Sequence, residues 1–139
     1  MRHEIVAALS LVVPLLACAK PTPRHDPSAV AEGAALYRVH CVSCHGSNGQ
    51  GDGPAALRLG VLPPDLTTLS RRNGGTYPFD EVTRMISGRV PIRGHGGAEM
   101  PIWGDTFLEP ETGYDAAGAR RKVRQLAQYL ASLQIAHDR

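Results

Sequence analysis

Aromatic residues are scarce in this chain: one Trp, four Tyr and two Phe make up 5% of its 139 residues. With 15 Gly and 11 Pro beside them, the side chains make a thin core for one ordinary domain. Something other than side chains is expected to occupy the middle. An excess of positive charge is also missing. The 15 Lys+Arg against 13 Asp+Glu leave only +2, far from the basic footprint of a nucleic-acid binder, so no nucleic-acid partner is expected. No apolar run reaches the roughly 18 residues that span a bilayer as a helix. No segment sustains apolar–polar alternation, which argues against a sheet, and no internal repeat or low-complexity tract is present. Cysteine is limited to Cys18, Cys41 and Cys44. What remains, 42% apolar and 20% charged residues, is the composition of a globular protein.

The one apolar candidate, Ile5–Ala17, follows Arg2, is interrupted by Ser10 and Pro14, and ends in small residues. That is the layout of a secretory signal. A buried N-terminal helix would instead carry a proline near its end and a Pro-rich stretch straight after it. Leu15-Leu16-Ala17-Cys18 resembles the lipobox of bacterial lipoproteins. The resemblance implies a lipidated Cys18, an anchor rather than a span. Ala17-Cys18-Ala19 also fits ordinary cleavage after Ala19. Residues 1–17 are read as the signal peptide and 18–28, with Pro21, Pro23 and Pro27, as a tether. A Pro-rich tether of this kind extends about 25–30 Å. Residues 29–139 are read as the folded domain.

Four helices are expected in that domain. Ser28 is placed to cap the first, which runs through Val30, Ala34, Leu36, Tyr37 and Val39 to about Cys44. Asp65 is placed to cap a short second one through Leu66 and Leu69 to Arg72, ended by Asn73-Gly74-Gly75. Phe79, Val82, Met85 and Ile86 share one face of a third, which stops at Gly88. Val123, Leu126, Ala127, Leu130 and Leu133 stripe the last, from about Asp115 to Gln134. Residues 46–64 and 88–113 are rich in Gly and Pro and read as loops. Loops that long in a compact domain point to a cofactor or a function.

Cys41-Val42-Ser43-Cys44-His45 is a C-x-x-C-H sequence, the attachment pattern of c-type haem. On a helical turn, two cysteines three apart face one side and both reach the haem vinyl groups. The adjacent His45 then reaches the iron as an imidazole axial ligand. A redox C-x-x-C expects a βαβ context, which is absent. A four-ligand zinc site needs another pair, and only Cys18 remains. A disulfide between Cys41 and Cys44 leaves His45 without a role. Opposite His45, the residues leave Met85, Met100, His95 or an open position. Met85 lies on an apolar helix face, where methionine is usually core. Met100 lies in a loop whose backbone Pro101 restrains.

These features together resemble the monohaem class I cytochromes c of the bacterial periplasm. Besides C-x-x-C-H, the resemblance rests on Gly33 and Tyr37 in the first helix, on Leu126 and Tyr129 in the last, and on Met100-Pro101-Ile102-Trp103-Gly104. It covers residues 29–134. It implies an all-α fold of three to five helices and long loops around one covalent haem c, with Gly33 letting the first and last helices approach closely. It also implies His45 and Met100 as axial ligands, with Cys41 and Cys44 as thioethers. A proline carbonyl, from Pro63 or Pro64, would accept the His45 imidazole N–H. Trp103 would pack beside the haem or donate its indole N–H to a propionate, or be plain core. Arg89 and Arg93 would offset propionate charge, face a partner, or be solvated. Attachment of such a haem takes place outside the cytoplasm, which agrees with export.

Ligands on both faces leave no position for substrate, so the expected role is electron transfer between redox proteins, not catalysis. The expected protein is a periplasmic monomer, lipid-anchored to the inner or outer membrane. A haem subunit fixed in a larger oxidoreductase, and a haem enzyme or gas sensor with a labile distal ligand, are the alternatives. Arg120-Arg121-Lys122-Arg124 would dock an acidic partner or simply form a solvated helix face.

Overall fold

The computed structural model describes residues 26–60, 62–89, 100–108 and 115–135. The expected signal peptide, Cys18, most of the tether, Arg93 and His95 lie outside them. The described residues are helical, without strands. Three helices have eight residues or more: α1 (Pro27–His40), α5 (Phe79–Ile86) and α7 (Ala116–Ser132). Four short ones join them: α2 (Val42–His45), α3 (Pro54–Leu59), α4 (Leu69–Arg72) and α6 (Trp103–Thr106).

The first helix begins earlier than its expected cap. Asp26, not Ser28, is the N-cap, and its carboxylate accepts from both the backbone N–H and the hydroxyl of Ser28. Pro27 takes the first helical position, where its missing N–H costs nothing, so the end of the expected tether is helical. The helix expected to run to Cys44 divides at Cys41, which closes α1 and opens α2. Asp65 caps as expected, accepting from the Thr67 N–H at 2.8 Å, but the turn it starts, Leu66–Thr68, is a 3-10 helix leading into α4.

The core is built where α1 crosses α7. Val123, Leu126, Ala127 and Leu130 are buried in one cluster with Tyr37, Val82 and Ile86, and Leu133 packs against it. At the crossing Gly33 faces the backbone of Gln125 and Cβ of Tyr129 so closely that a side chain there would collide with both. The Tyr37 and Tyr129 rings meet at 5.2 Å, one turn further along α1. The end of α7 is then tied to the 66–70 segment. Gln134 donates its side-chain amide to the Leu66 carbonyl at 2.8 Å and accepts from the Ser70 N–H at 2.8 Å. Tyr77 donates to the Ala127 carbonyl at 2.8 Å, holding the approach to α5 against α7.

Two short helices interrupt segments read as loop. α3 has Pro54 at its first turn and Gly60 closing it in the left-handed conformation, which are ordinary helix boundaries. α6 is one turn, carried by the stacking of Trp103 on Phe107 at 5.6 Å. Lys122 and Arg124 in the basic run lie over the Phe107 and Phe79 rings at 5.5 and 5.1 Å. That run is therefore packed only in part: Lys122 is half-buried, while Arg120, Arg121 and Arg124 are exposed.

Candidate functional site

α2 is a single turn, and its geometry follows from the spacing of its residues. The Cys44 and His45 N–H groups both donate to the Cys41 carbonyl, at 3.2 and 2.9 Å. Cys41 and Cys44 are thereby one helical turn apart, both half-buried and both free thiols. His45 follows and is buried, at 9% exposure. The chain then reverses at Gly46, whose φ of 77° excludes most side chains. The following loop returns under the turn: the Gly51 N–H donates to the His45 carbonyl at 2.9 Å and the Gly53 N–H to the Cys44 carbonyl at 3.1 Å. The carbonyls that end this short helix are therefore satisfied by backbone.

Tyr37 connects this turn to the core. It is 1% exposed and donates its hydroxyl to the Gly46 carbonyl at 2.8 Å. Burial, and after it the neighbouring Cys41, hold the phenol protonated well above its ordinary value, so it stays a donor. Burial, and then Cys44, push the Cys41 thiol up to about 12. The surroundings of that sulfur therefore disfavour a charge, and a thioether carries none.

A cavity of about 480 Å³ opens between α2, α5, α7 and the segments around Pro64 and Met100. It is within the size range of a small-molecule or cofactor site, about 300–1,000 Å³. His45, Cys41, Pro64, Met100 and Trp103, five of the six residues expected at a cofactor, line this one cavity, although the chain separates them widely. Cys44 does not line it and stays beside it on α2. The rest of the wall is mostly apolar, with Leu66, Leu69, Val82, Ile86, Leu126 and Leu130. Trp103 is both wall and core: it is 8% exposed, with the His40 ring 5.0 Å from its own.

The structure departs from expectation at two lining positions. Met85, read as core filling, lines the cavity. Among the described residues the arginine of the wall is Arg72, whose guanidinium donates to the Asp65 carbonyl at 2.7 Å. Arg89 instead lines a second cleft of about 370 Å³ with Arg84, Arg120 and Arg124. Sequence reading passed over Arg72, Asn73 and Glu81, which put polar groups on the wall. Arg72 and Asn73 end the short α4 and Glu81 lies in the first turn of α5, positions with no pattern that would have found them.

The family model for Cytochrome c matches residues 30–134. The chain belongs to that family and is a class I c-type cytochrome, whose prosthetic group is one covalently attached haem c. No solved structure matches the chain. The residues present fit such a group. One apolar cavity presents an imidazole and soft thioether sulfurs, donors that haem iron takes, and two free cysteines stand one turn apart beside that imidazole. A family built on haem supports an electron carrier rather than an enzyme.

Proposed function

We propose that the protein is a one-electron carrier in which His45 and Met100 hold the haem iron from opposite sides and Cys41 and Cys44 hold the porphyrin as thioethers. The observation that carries this reading is that His45 and Met100 line one cavity together with Cys41. The bound haem supplies a reversible ferrous–ferric couple. Cys41 and Cys44 hold it to α2, so the cofactor cannot leave. His45, buried at the end of that turn, is an imidazole donor fixed by the backbone bonds around it. Met100 closes the other side and excludes an outside ligand, and a methionine ligand raises the reduction potential. Leu66, Leu69, Val82, Ile86 and Leu126 keep water from the ring. Pro64 and Trp103 complete the wall, and Arg72 brings a positive charge toward it.

Export and lipidation at Cys18 belong to the same reading, since a carrier held near a membrane meets donor and acceptor there. Its partners are redox proteins. The experiment is the spectrum of the matured, reduced protein with and without CO. The wild type is expected to keep a low-spin spectrum unchanged by CO, and Met100→Ala to take CO up. CO uptake by the wild type as ready as that of Met100→Ala removes Met100 as the ligand.

A further inference from the structure

The chain has three methionines, and both that fall in described residues, Met85 and Met100, line the cavity. They are held differently. Met100 lies in the segment that enters α6, half-buried and packed against the core cluster. Met85 lies in the last turn of α5, a helix whose Val82 and Ile86 are buried in that cluster. Met85 is not among the described side chains packed against it. Standing at the edge of the α5 stripe, its half-buried side chain faces the cavity instead. A leucine would make an apolar wall there with better-defined rotamers. Methionine adds an unbranched, flexible reach and a polarizable sulfur.

We propose that Met85 is a reserve axial ligand: when Met100 leaves the iron, the Met85 thioether takes its place. The exchange breaks one iron–sulfur bond and forms another. Both sulfurs are neutral thioethers, so no electron or proton moves. The proposal rests on the reading of the cavity as a haem site with Met100 as resident ligand. It gives the protein a distal side that small outside ligands reach only after Met85 leaves, even when Met100 lets go.

CO uptake by the matured, reduced protein tests this, read as rate against CO concentration in Met100→Ala and in Met100→Ala/Met85→Leu. Leucine keeps the volume of the methionine without its sulfur. In Met100→Ala the rate is expected to level off at high CO, because Met85 must first leave. In the double variant that ceiling is expected to be lost, and the rate to rise in proportion to CO. Proportional uptake in Met100→Ala, or a ceiling that persists in the double variant, overturns the reserve role and leaves Met100 in place. No CO uptake by Met100→Ala that the double variant restores supports the reserve role as well, whereas no uptake by either variant overturns Met100 as resident ligand, and with it the vacancy that Met85 would occupy.

Discussion

Two parts of the molecule share Tyr37, Leu126 and Leu130 yet bury apolar surface in different ways. Where α1 crosses α7, protein meets protein: Gly33 lies on the Gln125 backbone, Tyr37 on Tyr129, and Val123 and Ala127 close the rest. Where α5, the Leu66–Leu69 segment and Met100 face α2, the wall encloses a cavity of about 480 Å³. The first part is a finished helix interface. The second is a core whose centre is left to the cofactor, which accounts for an aromatic content of only 5%. The crossing is thus expected to depend on the fit of side chains and the cavity wall on haem.

The sharpest way to break the comparison is to withhold the haem. Without haem, Cys41→Ala/Cys44→Ala leaves the apolar wall of that cavity facing water, and an ordinary domain has only about 5–15 kcal/mol of stability to lose. The haem-free variant is expected to lose its cooperative thermal transition by far-UV circular dichroism. A sharp transition near that of the holoprotein would mean that the α1–α7 core suffices alone.

Gly33→Ala attacks the other part. The added methyl meets the Gln125 carbonyl and Tyr129 Cβ, and overpacking at such a contact costs about 3 kcal/mol. Denaturant melts of the holoprotein are expected to show that loss while the haem spectrum is unchanged. Tyr37→Phe acts at the boundary of the two. It leaves the Gly46 carbonyl without the 2.8 Å bond it accepts, a loss of about 1–2 kcal/mol, measured the same way.

The smallest effect concerns Asp65, whose cap holds the segment under the cavity. Asp65→Ala is expected to cost about 1 kcal/mol near neutral pH. The Thr67 hydroxyl, first among its partners, holds this carboxyl below its ordinary 3.8. The charged form is favoured by folding, so its contribution is present above pH 3.8 and is lost as pH falls through the lower folded value. Asp65→Asn keeps a capping side chain but cannot titrate. Its stability is expected to fall less steeply than wild type in acid, and parallel curves for the two proteins would rule this out.

How far the sequence could be read differs between the two parts for a physical reason. The α7 stripe, the α5 stripe and the Asp65 cap are local patterns, set by side chains three or four residues apart or by one carboxylate and the next two N–H groups. They were legible. So was the Gly33 contact, through resemblance. Asp26 was missed in favour of Ser28, although Pro27 in the first helical position points to the residue before it. α3 was hidden in a stretch dense in Gly and Pro, where Pro54 and Gly60 were read as loop residues instead of helix boundaries. α6 is too short for periodicity to reveal. Met85 was misread because an apolar stripe says which face of a helix is sheltered, not whether protein or a cavity lies opposite.

The sequence by itself determined the pairing of Cys41, Cys44 and His45, because covalent spacing on one helical turn is enough to bring them together. It also determined the helical class and the sites of the main helices. Only the tertiary structure decided that Pro64, Arg72, Met85, Met100 and Trp103 border the same cavity as His45. Those residues come from separate segments, and their meeting depends on how α1 lies across α7 and how Gln134 and Tyr77 tie the intervening chain to that crossing. Spacing along a chain constrains neighbours within a turn, while contacts between distant segments exist only once packing has closed the loops between them.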